Sequence, residues 1–289
     1  MRKIVLLSVG LIACSLLFSC NKKQEFPAAK AARVSATKSF EKYFGAAPTT
    51  DKGTCYAFVI YFPSAKFPGK VVPFPFFTFD EASLKKVAVQ RLIGGMSDVK
   101  SYQGEILQPF PAGTHLLGIT ETAGVVTVNF STEFGLQGNE SSDRAVVNAL
   151  VLTLRQFGGV SDVRIQADGK EFPAGKVSQP TDQDVLQPSQ PRLLSVTAMK
   201  EKGAREVEEV NAFFDRPVNI RTLRLAGPDG KPFRGDIYQS VFDMAGVMKP
   251  KDPALFKAGM PVKVRWDVTD KLGRNSAGDT EIPLEVKEH

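Results

Sequence analysis

The sequence predicts two modules of different class, an α+β domain and then an all-β domain, behind an N-terminal address segment. Three observations carry this. Between positions 52 and 173, runs of strand character alternate with two stretches of helical period. After position 192 the chain holds short strand-like runs and almost no helical period. Between them the segment AGKVSQPTDQDVLQPSQP, 174–191, is rich in Gln, Pro, Ser and Asp and nearly lacks large apolar residues, the composition of a linker. A chain of 289 residues with 43% hydrophobic and 24% charged positions can fill two cores.

Each element of the first module has a local signal. Tyr56–Phe62 and Val71–Phe79 read as strands, the second confined to an edge by Pro73 and Pro75, which cannot donate to a ladder. Asp80 offers an N-cap for a helix to about Ile93, with Leu84, Val87, Ala88 and Leu92 on one face and Gly94-Gly95 as the stop. His115–Thr122 and Val125–Ser131 flank Ala123-Gly124, a two-residue hairpin connection. A second helix is expected from about Ser142 to Phe157, then a strand at Val163–Ala167. The order is ββαββαβ, with two helices on one face of a sheet. Strand alternation puts Phe77 and Phe79 on one face of their strand and Phe74 and Phe76 on the other, with packing favoured over a partner patch for the outer set.

In the second module the candidate strands are Arg192–Met199, Val207–Phe214, Ile220–Ala226, Asp236–Phe242, Val262–Thr269 and Ile282–Val286, with turns at Gly227–Gly230 and Asp270–Asn275. This spacing predicts a β-sandwich over 192–289, and Met248–Lys257 is expected as its one long loop.

Residues 1–20 read MRKIVLLSVGLIACSLLFSC. Arg2 and Lys3 precede an apolar run from Ile4 to Phe18 that is short of the roughly 20 residues a bilayer span needs. That order makes residues 1–19 a secretory signal peptide. Its ending, Leu17-Phe18-Ser19-Cys20, resembles the bacterial lipobox, which implies a diacylglyceryl group, with palmitate-like acyl chains, on the Cys20 thiol and cleavage just before it. The competing reading is a plain signal peptide with Cys20 incidental. Each buried methylene contributes about 0.8 kcal/mol, so a multiply acylated terminus stays on its membrane. The expected location is the cell envelope, on the outer side of the cytoplasmic membrane or on the outer membrane. Residues 20–51, rich in Ala, Lys, Ser and Thr, are expected to form the tether, with 31–44 its one candidate helix.

Composition narrows the chemistry. The formal charge of +6 falls by two when Arg2 and Lys3 leave with the leader, and no dense basic run follows Lys22-Lys23, so nucleic acid is not an expected partner. Cys55 is then the one free thiol; a nucleophilic role with His115 as base is weighed against a buried thiol, which is favoured. One internal His and one Cys cannot build the common zinc sites. A carboxylate calcium site at Asp267, Asp270 and Asp279 is weighed against a solvated turn, which is favoured. Glu133, Glu140 and Asp143 bracket the second helix's start and could serve a glycosidase, although acids there also answer the helix dipole. No catalytic, metal-binding or cofactor-binding residue is therefore assigned.

The phrases AFVIYFPSA, AVQRLIGGM, LQPFPAGTHLLGI, VVTVNFSTEF and ALVLTLRQFGGVSDVRIQADGKEF, in that order over about residues 56–172, resemble the GerMN domain of GerM-like sporulation and germination lipoproteins. The chain departs from that pattern at Gly94-Gly95-Met96, where a Pro is usual, and at Phe77-Thr78-Phe79, where an Arg often follows. The resemblance implies a fold related to ring-building motifs, used for protein contacts in the envelope, with no known reaction. The stretches Phe214-Asp215-Arg216-Pro217-Val218 and VRWDVTDKLGRNSAGD are similar to bacterial Ig-like modules. The expectation is a non-enzymatic, membrane-anchored lipoprotein that binds an envelope protein or peptidoglycan. The alternative is a peptidoglycan-acting enzyme that uses the acids near the second helix.

Overall fold

A computed structural model describes residues 33–51, 53–96, 100–102, 104–135, 140–171 and 179–289, the side chains of 100, 140 and 142 excepted. The expected leader, Cys20 and the first part of the expected tether lie outside the described residues. The remainder of that tether is part of the first module. Strand β1 (Arg33–Ala36) and helix α1 (Lys38–Phe44) come first, and β1 runs parallel to β2 (Thr54–Pro63). Thr37 caps α1 by accepting from the Phe40 amide at 3.2 Å. The helix buries Phe40, Tyr43 and Phe44, an i, i+3, i+4 triad that the surrounding Ala, Lys and Ser conceal in a compositional reading.

Strand β2 is apolar on both faces and buried from Ala57 to Pro63, so it needs cover on each side. Rings from α1 meet Tyr61 and Phe77 on one side, while Phe157 meets Phe58 on the other. Antiparallel β3 (Val71–Thr78) is an edge strand, as its prolines require. Pro73 and Pro75 lie opposite Tyr61 and Val59, residues whose main chain turns away from β3. Those groups are satisfied from α3 (Glu140–Arg155) and the residue after it. Gln156 accepts from the Val59 N–H at 2.8 Å and donates to its carbonyl at 2.6 Å, and Thr153 Oγ1 accepts from the Tyr61 N–H at 3.2 Å. Side chains thus continue the ladder where β1 stops.

Helix α2 (Leu84–Gly94) begins after Ser83, later than the expected Asp80 cap, and the Asp80 amide instead donates to Thr78 Oγ1 at 3.1 Å. Strands β4 (Leu116–Thr122) and β5 (Val125–Phe130) form the expected hairpin, with positive φ at both Ala123 (50°) and Gly124 (81°). Strand β6 (Asp162–Ala167) adds parallel to β5, and short β7 (Lys170–Glu171) follows. The expected single sheet is instead two, β1-β2-β3 and β4-β5-β6-β7, around one shared core. The helices bridge them, with α3 packed on both β2 and β6.

The second module comprises β8 (Leu193–Lys200), β9 (Glu209–Phe214), β10 (Val218–Ala226), β11 (Gly235–Gln239), β12 (Ala245–Pro250), β13 (Pro261–Asp270), β14 (Asn275–Pro283) and β15 (Glu285–Glu288). They form a five-stranded sheet, β11-β12-β9-β8-β15, and a three-stranded sheet, β10-β13-β14. Val196, Val210, Met248, Leu225 and Val264 of the two sheets share one core. The sequence reading is corrected in three places, one being that the expected strand Ile282–Val286 divides at Leu284 between β14 and β15, which lie in different sheets. Strand β12 covers the start of the expected long loop; its Gly246 sits where a Cβ would lie 2.4 Å from Leu223 Cδ2, so a residue that weakens strand signals is a packing requirement. Strand β14 is too polar to read as a strand, yet pairs with β13 along its length.

Candidate functional site

The chemistry-bearing residues concentrate at the seam between the modules. Asp215 follows β9, its side chain 6% exposed, and holds Arg216 bidentately: Nε and Nη2 donate to its two carboxylate oxygens at 2.9 Å each. Asp215 also accepts from the Arg192 amide at 3.1 Å. The third Arg216 nitrogen, Nη1, donates to the linker carbonyl of Ser189 at 2.7 Å. Asp270, at the end of β13, is wholly buried and accepts from the amides of Leu272 and Arg274 at 3.0 and 2.9 Å, which folds the following loop back on itself. Its other oxygen takes Arg274 Nε at 2.5 Å. Arg274 then donates Nη1 to the Pro188 carbonyl at 2.9 Å and Nη2 to the Tyr43 carbonyl at 2.8 Å.

Other contacts cross the same seam. Arg192 pairs with Glu105 at 2.6 Å and lies over the Tyr102 ring, 4.8 Å from its centroid. Burial raises the Tyr102 phenol above its ordinary pKa, so it stays protonated. Phe242 stacks on Phe77 with centroids 4.7 Å apart and planes 6° from parallel. Gly45 bridges to Lys271 with φ at 80°, and a Cβ there would lie 2.7 Å from the Lys271 carbonyl oxygen. The linker is fastened too. Thr181 and Asp184 form a capping box, Arg144 reaches Asp184 at 3.2 Å, and the Leu186 amide bonds the Val71 carbonyl at 2.9 Å. Burial disfavours the Asp184 carboxylate, but bonds from Thr181 and the Arg144 charge outweigh it and hold its pKa below the ordinary range. Between hairpin β2–β3, the linker and Arg192 lies a cleft of about 290 Å³, floored by Phe44, Pro73, Phe74 and Tyr102.

The residues singled out from sequence are dispersed. Cys20 lies outside the described residues. Cys55 is fully buried in β2, its thiol 3.9 Å from the Tyr56 carbonyl, and burial pushes its pKa up, opposite to an activated nucleophile. The amide of His115 is held by Ser131 Oγ at 3.0 Å. Glu133 is exposed, and a hydrogen bond from Ser131 keeps its carboxyl below the usual value, whereas a glycosidase acid needs the reverse. Asp143 is buried against a hollow of about 380 Å³ lined by Pro109–Ala112 and Phe134, and the Glu140 side chain lies outside the described residues. Asp267 pairs with Arg221, Asp270 with Arg274, and Asp279 faces Arg265 across the sheet, so the three carboxylates serve separate partners. Among the described residues no group of three or more His, Cys, Asp or Glu is placed to hold a metal, and no helix is long and apolar enough to cross a membrane. Of the Phe-rich strand, Phe77 lies under α1 and Phe242, Phe76 packs on Phe58, and Phe79 is 53% exposed. Asp215, Arg216, Asp270 and Arg274 stood in the two phrases similar to Ig-like modules, whereas Arg192 and Phe242 lay outside them. The partners of Arg216 and Arg274 across the seam are main-chain carbonyls, which leave no trace in sequence.

Residues 59–172 match the family described as Germane: Sporulation and spore germination. Among solved structures, the chain is similar to the first GerMN domain of the sporulation protein GerM from Bacillus subtilis, at 23% identity and TM-score 0.34, covering 44% of this chain and 94% of that one. It is similar to a putative lipoprotein from Clostridium perfringens at 20% identity and TM-score 0.28, covering 39% and 75%. The tandem GerMN domains of the B. subtilis protein align at 19% identity and TM-score 0.33, over 61% of this chain and 57% of that one. No curated protein matches the chain. The family match thus falls on the first module, over residues 59–172, and makes that stretch similar to a GerMN domain.

Proposed function

We propose that the protein is a lipid-anchored envelope lipoprotein whose two modules form a non-enzymatic scaffold for an envelope protein or the cell wall. The observation that carries this reading is the Germane match over residues 59–172, in a family described by sporulation and spore germination rather than by a reaction. The dispersal of Cys55, His115, Glu133 and Asp143 through separate structural roles supports it. The leader ending in Ser19-Cys20 supplies the anchor in this reading, with Cys20 acylated. Cys20 lies 13 residues ahead of Arg33, the first residue of β1, a length of chain that can span at most roughly 40 Å. The first module then works close to its membrane. The second module serves as an Ig-like sandwich that extends the contact surface.

Metabolic labelling with a palmitate analogue tests the anchor. Wild-type protein takes the label and fractionates with membrane, and Cys20→Ser loses both. An unlabelled wild type, or a Cys20→Ser protein still on the membrane, overturns the anchor. In-cell cross-linking of the lipidated chain tests the scaffold. Repeated capture of one envelope protein supports it; recovery of glycan fragments alone replaces it with wall binding or hydrolysis.

A further inference from the structure

We propose that the seam is an orientation lock, which holds the two modules as one rigid unit so that a partner meets a single surface built from both. Asp215 and Asp270 are buried carboxylates, each hydrogen-bonded by an arginine of its own loop, with Arg192 a further 3.7 Å from Asp215 and Arg216 3.8 Å from Asp270. Each arginine keeps donors free after that pairing, and all the free donors named above leave the module, for the carbonyls of Tyr43, Pro188 and Ser189. A guanidinium is planar and directional, so three such bonds fix position and angle together. An oily seam of the same area would tolerate sliding. Buried ion pairs contribute little net stability against apolar substitutes, and their best-attested use is to specify one arrangement among several.

A second fastening supports the first. Phe242 and Asp243 both hold positive φ, 66° and 57°, a conformation that costs free energy in residues with a Cβ. This turn aims the Phe242 ring onto Phe77 of the first module. Asp243 is braced by Lys271 at 2.7 Å and Gln239 at 2.6 Å, and Lys271 is the residue that bridges to Gly45. The strained turn and the arginine loop are therefore tied to the same residue. Arg192 on Glu105 and Tyr102, with Ser101 Oγ donating to the Leu194 carbonyl at 3.2 Å, gives a third point of attachment. What reads as a tether followed by two modules on a string is fastened where α1, linker and second module meet.

The test is a distance measurement on the full chain, with spin labels carried by unnatural amino acids at exposed Lys170 and Asp229 so that native thiols stay unlabelled. The wild type gives one narrow distance. Arg274→Gln, which gives up the bonds to Tyr43 and Pro188, loses that single distance and broadens the distribution. Arg274→Lys keeps the charge but cannot reach both carbonyls, and broadens it as well. Fluorescence of Trp266, the lone Trp, reports whether the second module is still folded. If an Arg274 variant fails that control, Phe242→Ala removes the ring stack without touching a buried charge and must broaden the distribution. A broad distribution in the wild type overturns the lock. So does a folded variant set that stays as narrow as the wild type.

Discussion

The interior of the first module and the seam are both buried, but they are built from opposite materials. The interior is dry and aromatic: Phe40, Phe58, Phe62 and Phe130 are at most 1% exposed and touch other rings edge-on, tilted or stacked. Its stability comes from apolar area and fit, which tolerate a modest shift of one ring against another. The seam instead holds the ion pairs of Asp215, Asp270 and Glu105 with arginines, and arginine-to-carbonyl bonds from Arg216 and Arg274, which lose strength with small changes of angle. The difference teaches a division of labour. The core decides whether the module folds, and the seam decides how the modules stand.

That contrast can be broken at several points. The largest loss is expected from Phe58→Ala, which empties the space between Phe76 and Phe157 and costs about 3–5 kcal/mol in urea unfolding. Arg216→Ala removes both short guanidinium bonds from the buried Asp215 carboxylate, leaving Arg192 Nε 3.7 Å away, and costs about 3–5 kcal/mol. Replacing Asp215 and Arg216 together by apolar residues sharpens the comparison: unfolding free energy recovers most of that loss, while the spin-label distance stays broad. Gly45→Ala forces an L side chain into positive φ against the Lys271 backbone, for about 1–3 kcal/mol by thermal unfolding. The smallest effect concerns acid. The Asp184 carboxyl has a folded pKa below its unfolded value near 3.9, so its contribution is complete above that value and is lost as pH falls through the folded one. Limited proteolysis of the linker should therefore quicken below about pH 4, and Asp184→Asn should show the faster rate at neutral pH with no acid step.

Much of the fold was legible because its signals are local. Ala123-Gly124 announces its hairpin through turn chemistry, and Pro73 and Pro75 place β3 at an edge. The misses share a physical reason, since each element is held from outside its own segment. Helix α1 looks like tether until its three rings find Tyr61 and Phe77; β14 is polar and exists because β13 lies beside it; Gly246 weakens β12 until Leu223 is seen filling its place. The seam was on the page as residues, Asp215-Arg216 and Asp270 to Arg274, but read as loops.

The sequence by itself determined the two classes of module, the composition break between them and the phrases that match the GerMN family over residues 59–172. These follow from periodicity, turn residues and composition, which act over a few residues at a time. Only the tertiary structure decided that α1 belongs to the first core and that the linker is fastened rather than free. It also decided that Arg216 and Arg274 face out of their own module. Those outcomes depend on backbone carbonyls more than eighty residues away in the case of Arg274, and every residue type offers the same carbonyl.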